Sequence, residues 1–184
     1  MKKKDMRFDQ NVFKALIGKC FNKYRCDQFV YTPSVTQIEG LYIGNDIFKM
    51  TNELETSDYF GTCEEIAVCR FAKCNNEDIK SALAEGQMID NDINGVIKGV
   101  KIVNEHQQVR FNDGNEDDVW LTRGVIFIVD HREISFEKSI VPFSEEINIH
   151  EGDDLISHFG NAEAFSEGWD ENVMARAERE TVII

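Results

Sequence analysis

Apolar residues near the start of the chain recur at the spacing of an α-helix. They occupy the i, i+3, i+4, i+7, i+8 and i+11 positions of one pattern: Phe13, Leu16, Ile17, Cys20, Phe21 and Tyr24. This spacing places them on one side of a helix. Asp9 precedes the pattern and is suited to cap it. The pattern predicts an N-terminal amphipathic helix with its basic residues mostly off the apolar side.

The period changes to that of β-strands after residue 28. The segments SVTQIEGLYI and DIFKM flank Gly44-Asn45-Asp46, and Gly and Asn favour the positive φ angles of tight turns. We therefore predict a β-hairpin here. From Gly95 onward, β-branched and aromatic residues predict a mainly antiparallel sheet. The apolar run 125–129 should be a central strand that is covered on both faces.

The stretch TCEEIAVCRFAKC, residues 62–74, contains three of the five cysteines. Thr62 and Glu65 have the spacing of a helix capping box. Four residues recur at i, i+4, i+8 and i+11, which predicts a buried helical side: Cys63, Ala67, Phe71 and Cys74. Cys69 lies about 120° away from Cys63 on such a helix. Cys69 is therefore the thiol of this stretch that we expect a labelling test to reveal.

A second helix is predicted to follow at once, capped at Asn75 or Asn76 and ended by Gly86. The segment from Trp169 predicts a last helix, because acids occupy its first turn and Arg176 and Arg179 its last. The predicted fold class is α+β, since the strands are grouped rather than alternating with helices. We expect one domain, with an α+β core at 1–143 and an acidic helical segment at 144–184 packed on it.

Charge is distributed unevenly along the chain, whose net charge is −14. Residues 1–26 have eight Lys and Arg against two Asp, whereas residues 27–184 have 12 basic against 32 acidic residues. Between Ser144 and Glu171 there are nine acids and no Lys or Arg. Such a field repels nucleic acid and favours basic partners.

The acidity leads to a functional hypothesis: a non-enzymatic module that docks on a basic, nucleic-acid-binding protein and inhibits it. Closely spaced carboxylates can imitate phosphates in a groove lined by Lys and Arg. Phage and plasmid inhibitors that mimic DNA, including antirestriction and anti-CRISPR proteins, share this composition and size. The residues predicted to bind the partner are Glu145, Glu146, Glu151, Asp153, Asp154, Asp117 and Asp118. No sequence-specific DNA binding is expected, because the predicted second helix is acidic. No cofactor is expected either, since the sequence has no glycine-rich nucleotide-binding motif.

Two alternatives remain open from the sequence. The first is a zinc- or thiol-dependent enzyme that uses Cys63, Cys69 and Cys74, although five and four intervening residues do not match a zinc knuckle. The second is a homodimer in which the basic N-terminal helix contacts the acidic body of another copy. The chain has no apolar run of about 18 residues, and its start shows no secretory signal. Reduced cysteines in the cytoplasm are therefore expected.

Overall fold

The computed structural model describes residues 2–27, 35–36, 38–81 and 87–184. Strands dominate this part of the chain. They are β1 (Lys2–Met6), β2 (Cys20–Asp27), β3 (Val35–Thr36), β4 (Ile38–Ile43), β5 (Asp46–Tyr59), β6 (Thr62–Cys74), β7 (Met88–Arg110), β8 (Glu116–Val129), β9 (Arg132–Lys138), β10 (Ile147–Gly152) and β11 (Met174–Ile183). The α-helices of the described residues are α1 (Gln10–Lys14) and α2 (Ala164–Glu167), and short 3₁₀ turns form at Asn76–Asp78 and Leu155–His158.

The eleven strands form one sheet in the order β3-β10-β9-β8-β7-β2-β4-β5-β6, with β1 beside β8 and β11 beside β7. All pairings are antiparallel except β1 with β8. The 23-residue β7 connects the two halves of the sheet, because its first part pairs with β2 and its second part with β8 and β11. The predicted hairpin is present as β4 and β5, joined at residues 44–45.

The main core lies where the two halves of the sheet face each other. Phe21 of β2 contacts Phe127 of β8, with ring centroids 5.3 Å apart, and Tyr24 contacts Phe136 of β9 at 5.6 Å. Val125–Val129 lies between β7 and β9, and all of its residues are buried except the half-buried Ile128, as predicted for a central strand. Burial of this apolar surface is the main driving force for folding.

Two smaller clusters lie on the opposite face of β7 and β8. The first, here called the aromatic cluster, has a buried set at its centre: Tyr59, Phe60, Ile66, Val68, Val109, Val119 and Leu121. Phe111, Phe165 and Trp169 are among the half-buried residues that pack against it. The second cluster consists of Val103, Ile126, Leu155 and Phe159. Because side chains alternate along a strand, β7 contributes to cores on both of its faces.

A β-bulge interrupts the pairing of β7 with β8 at Arg123. Val103 pairs with Gly124 and Asn104 with Thr122, so Arg123 is an extra residue without an opposite position. A Cβ atom at Gly124 would lie 2.4 Å from the carbonyl oxygen of Phe136, which explains the glycine. Bulges redirect side chains, and this one directs Arg123 into the interior, where it is 1% exposed.

The α+β prediction is wrong, because the described residues are mostly antiparallel sheet. The predicted N-terminal helix is helical only at Gln10–Lys14, and Cys20–Asp27 is a strand. Its basic residues are spread over ion pairs: Lys19 contacts Asp46, while Lys23 and Arg25 contact Asp90.

The predicted helical pair is also wrong. Residues 62–74 form β6, joined to β5 by Phe60 and Gly61, whose φ angles of 51° and 83° are typical of a type I′ turn. Of the predicted second helix, Asn76–Asp78 is a 3₁₀ turn, and residues 82–86 lie outside the described residues.

The acidic segment 144–184 does not form the predicted helices either. It supplies β10 beside β9 and β11 beside β7, and its one α-helix is the four-residue α2. The segment is therefore part of the same sheet as residues 1–143. Among the described residues, no helix is long and apolar enough to cross a membrane.

Candidate functional site

Asp117 and Asp118 lie on β8 rather than in the preceding loop, so their side chains point to opposite faces of the sheet. Asp118 is 7% exposed and contacts the His106 ring, which stacks on Trp120 with centroids 4.1 Å apart. The carboxylate of Asp118 therefore already has an interaction partner within the protein, the His106 ring. Asp117 faces the side of the aromatic cluster and remains half-exposed.

Glu145 and Glu146 lie at one end of β10, and both accept hydrogen bonds from neighbouring groups. Glu145 accepts a hydrogen bond from the Leu54 amide at 3.3 Å, and Glu146 accepts one from the Ser144 hydroxyl at 3.1 Å. They lie on the connection between β9 and β10.

Glu151, Asp153 and Asp154 lie at the other end of β10 and are exposed. Glu151 accepts a hydrogen bond from Arg132 at 2.8 Å. Glu151, the nearest of this group, lies five positions beyond Glu146 along β10, a distance of about 17 Å. The seven predicted residues are thus divided among separate parts of the surface, and they do not form one continuous array.

The three clustered cysteines cannot share a metal ion. Cys63 and Cys69 are six residues apart on β6, about 20 Å, and Cys74 points to the other face of the strand. The expected exposure is also reversed, because Cys63 is exposed while Cys69 is buried. Burial raises the pKa of Cys69 to about 12. Among the described residues, no group of three His, Cys, Asp or Glu side chains could hold a metal ion.

Asp117 belongs to a groove that the sequence did not reveal. The acidic groove, as we call it, has a volume of ≈ 500 Å³. It is lined by Phe60, Gly61, Thr62, Phe111, Asp113, Asn115, Glu116, Asp117 and Trp169. Three chain segments meet there: the β5–β6 turn, the β7–β8 loop and the segment after α2. Among the described residues that line it, three are acids and none is Lys or Arg.

Aromatic rings form one wall of the acidic groove. Trp169 stands perpendicular to Phe60, at 89° with centroids 5.4 Å apart, and near-perpendicular to Phe111, at 75° and 6.4 Å. Trp169 and Phe111 are half-buried, so part of each ring faces the groove. Carboxylates beside aromatic faces attract a cationic side chain through both charge and the ring quadrupole.

The charge around the acidic groove is only partly balanced. Arg110 lies 3.4 Å from Glu116, and both are largely exposed. Lys4, whose amine contacts Ser57, lines the adjacent groove that shares Phe60 and Asp117. Asp170 follows Trp169 in the chain and is exposed. The groove therefore presents a negative surface to an approaching partner.

A different polar cluster is enclosed in the interior. The Arg123 guanidinium donates to Glu105 at 2.6 and 3.1 Å, and Arg179 donates to the same carboxylate at 3.1 Å. Gln107 also donates to Glu105, at 2.8 Å, and accepts from the Tyr59 hydroxyl at 2.7 Å. Burial alone would raise the pKa of Glu105, but the two guanidiniums hold it below its usual value.

Lys138 lies beside this cluster, and burial together with the Arg123 charge lowers its pKa to about 8. Its amine is 3.4 Å from the carbonyl oxygen of Ser139, to which it donates. Lys138 and Arg123 are at most 5% exposed, so neither can meet a solute without opening of the core. The cluster therefore organises the fold and is not a candidate active site.

Comparison with protein-family models, with curated proteins and with solved structures finds no match to this chain. Sequence reasoning identified one groove residue, Asp117, and missed Asp113, Glu116 and the aromatic wall. The available signals were the Phe-Gly turn at 60–61 and the Asn-Asp-Gly loop at 112–114, since both mark tight turns that bring aromatic neighbours to one end of a sheet.

Proposed function

We propose that this protein is a non-enzymatic binding module that docks a basic protein in the acidic groove. One observation supports the proposal above the others: three acids and three aromatic rings line a single groove that no described Lys or Arg enters. Aromatic anchors surrounded by charged groups are typical of interface hot spots. The proposed partner class is a basic, nucleic-acid-binding protein, which the module inhibits by occupying its phosphate-binding surface.

The dispersal of the predicted acids changes how such docking would work. Glu145, Glu146, Glu151, Asp153 and Asp154 lie away from the groove, so they act through the long-range field of the −14 chain. The groove acids act at contact distance. Distant charges mainly increase the association rate, whereas the groove determines how long the complex persists.

The proposed compartment is the cytoplasm. All five cysteines are free thiols, and thiols persist where glutathione and thioredoxin keep them reduced. A cytoplasmic module of this kind would meet nucleic-acid-binding enzymes directly.

The test compares two variants with equal loss of charge. The groove variant carries Asp113→Asn, Glu116→Gln and Asp117→Asn, and the control carries Glu146→Gln, Asp153→Asn and Asp154→Asn. The probe is a fluorescent arginine-rich peptide, followed by anisotropy at two salt concentrations. We expect affinity to fall about 3- to 150-fold in the groove variant, since three exposed ion pairs contribute about 0.2–1 kcal/mol each.

The control variant should bind within about twofold of wild type at moderate salt, because its acids do not contact the peptide. Equal losses in both variants would show that net charge alone binds the peptide, and the groove would be excluded. Trp169→Ala should weaken binding further without changing charge. Pull-down from host cytosol with the same pair of variants then identifies the physiological partner, which only wild type and control should retain.

A further inference from the structure

Among the described strands, β11 pairs with β7 alone, so its outer edge is long and has no strand beside it. It pairs with β7 over ten residues without a register shift, from Met174 opposite Arg110 to Ile183 opposite Lys101. None of the other described strands pairs with it. Unprotected edges of this length are templates for pairing with another chain.

The hydrogen-bond pattern identifies which groups face outward. Ile184 and Val100 exchange both backbone hydrogen bonds, at 2.9 and 3.0 Å. In an antiparallel pair, hydrogen-bonded and non-hydrogen-bonded positions alternate. Even-numbered residues of β11 therefore bond to β7, and the odd-numbered residues direct their N–H and C=O groups to the free edge: Ala175, Ala177, Arg179, Thr181 and Ile183.

The edge lacks most of the features that prevent an edge strand from pairing with another chain. The sequence of β11, MARAERETVI, has no Pro, Gly or Lys, and its pairing with β7 has no bulge. Met174 and Ile183, at its two ends, are 72% and 75% exposed. Its charges have both signs, since Arg176 and Glu178 point to the same face and are 3.6 Å apart.

These charges are complementary to those of a second copy. Two identical antiparallel strands in one sheet are related by a two-fold axis normal to the sheet, which pairs residues of equal parity. With the axis at Ala177, Arg176 lies opposite Glu178 of the partner subunit, and this pair occurs twice. Ala177 then faces its own copy, and Ala175 faces Arg179 of the partner subunit.

The neighbouring registers are less favourable. An axis at Glu178 would place the two Glu178 carboxylates of the dimer opposite each other. An axis at Arg179 would place the two Arg179 guanidiniums opposite each other. Like charges directly opposite destabilise a strand pair, whereas opposite charges stabilise it. The axis at Ala177 also makes three hydrogen-bonded pairs from outward-facing residues, or about six backbone hydrogen bonds.

We propose that two copies of this chain form a symmetric dimer by antiparallel pairing of β11, centred on Ala177. The sheet then continues across the interface from one subunit to the other. The dimer does not depend on the acidic groove, whose binding to the arginine-rich peptide is measured separately.

Light scattering after size exclusion tests the proposal with charge variants. Wild type should have twice the chain mass of 21.1 kDa. Arg176→Glu and Glu178→Arg should each raise the dimer dissociation constant at least about tenfold, because each places like charges opposite one another twice. The double variant R176E/E178R restores opposite charges and should dimerise as wild type does. A monomer at every concentration, or a double variant that stays as weak as the single ones, overturns the proposal.

Ala177→Pro provides a second test that leaves the pairing with β7 intact. The Ala177 amide points to the free edge, and proline is tolerated at such positions. This variant should be a folded monomer with an unchanged circular dichroism spectrum. A dimer that persists in Ala177→Pro would show that another surface holds the subunits together, and would equally overturn the proposal.

The register is tested by cross-linking. In a Cys63→Ser background, which removes the exposed thiol, Ala177→Cys places two thiols across the axis. Hydrogen-bonded positions have Cα atoms about 5.5 Å apart, within the range of a disulfide. Mild oxidation should give a covalent dimer with Ala177→Cys and none with Ala175→Cys. The reverse result would exclude the axis at Ala177.

Discussion

Glu105 and Glu39 are both fully buried glutamates on long-range strand pairs, but their surroundings are opposite. Glu105 receives hydrogen bonds from Arg123, Arg179 and Gln107, and its pKa lies below its usual value. Glu39 lies on β4 between Cys26 and Met50, and among the described residues neither of its carboxyl oxygens has a hydrogen-bond partner. Burial raises the pKa of Glu39 well above its usual value.

The difference shows that burial alone does not decide the state of an acid. Glu105 is ionised because the bulge at Arg123 supplies a guanidinium to it in the interior. Glu39 has no such cation among the described residues, so the protonated form is favoured. The first acid holds strands together, and the second makes the stability of the fold depend on pH.

Removal of the Arg123 guanidinium should have the largest effect. We expect Arg123→Met to lower the free energy of unfolding by about 3–5 kcal/mol, because Glu105 would lose its fully buried guanidinium and keep only the partly exposed one of Arg179. Urea denaturation at pH 7 measures the loss. Arg70→Met is the matched control, since Arg70 pairs with Glu55 at an exposed site and should cost about 1 kcal/mol or less. Equal costs would mean that the buried pair has no special role.

Replacement of Glu39 should increase the free energy of unfolding, in contrast to replacement of Arg123. A buried polar group without a partner costs about 1–3 kcal/mol, so Glu39→Met should stabilise the protein by that amount at pH 7. The raised pKa means that the folded protein retains a proton that the unfolded chain releases. The contribution of Glu39 to the free energy of unfolding is therefore fully present below the pKa of the unfolded chain, about 4.3. It is lost as the pH rises toward the pKa of Glu39 in the folded protein.

The advantage of Glu39→Met over wild type should consequently grow between pH 4 and pH 7. Parallel urea titrations across this range measure it, with Glu53→Met as an exposed control that should show no such growth. A constant difference between Glu39→Met and wild type would mean that Glu39 is ionised in the folded protein.

A smaller loss is expected at the edge of the Glu105 cluster. Tyr59→Phe removes the hydroxyl that donates to Gln107 at 2.7 Å and should cost about 1 kcal/mol. Tyr24→Phe is the matched control, because its hydroxyl contacts the exposed Glu151 at 3.3 Å and should matter less. Thermal denaturation of the two variants compares them, and a greater cost for Tyr24→Phe would contradict the cluster's importance.

The thiols near Glu39 provide a test that does not involve stability. Burial, with a contribution from Glu39, raises the pKa of Cys26 to about 11 and that of Cys69 to about 12. At pH 8 both should react with a thiol reagent roughly two orders of magnitude more slowly than the exposed Cys63. Mass spectrometry of labelled peptides assigns each rate, and Cys63→Ser should remove the fast phase. Rapid labelling of Cys69 would indicate that the Glu39 region opens readily.

The failed helix predictions have a physical explanation. Cys63, Ala67 and Phe71 are separated by multiples of four, which are even numbers and therefore also fit the period of a strand. In β2, Phe21 and Tyr24 are both buried although three apart, because the pairing shifts register between Phe21 and Lys23. A β-bulge thus produced the residue spacing of a helix. Only the long-range strand pairing distinguishes a bulged strand from a helix here.

The sheet-forming residues were recognisable where β-branched runs and tight turns coincide. The hairpin at residues 44–45 and the central strand at 125–129 depend on local signals, and both predictions are confirmed. The acidic groove depends on contacts among segments as distant as Phe60 and Trp169. The net charge of the sequence indicated an acidic protein. It could not indicate which acidic side chains lie beside aromatic rings in the folded chain.

The 23-residue β7 also has a consequence for how quickly the chain folds. Its partners β2 and β11 lie far from it in sequence, since Cys20 pairs with Val96 and Ile183 with Lys101. Loop closure over such distances must precede any gain from pairing, and domains dominated by non-local strand pairs fold in milliseconds to seconds. We therefore expect slow, cooperative folding in which β7 is protected from hydrogen exchange only once both halves of the sheet have formed.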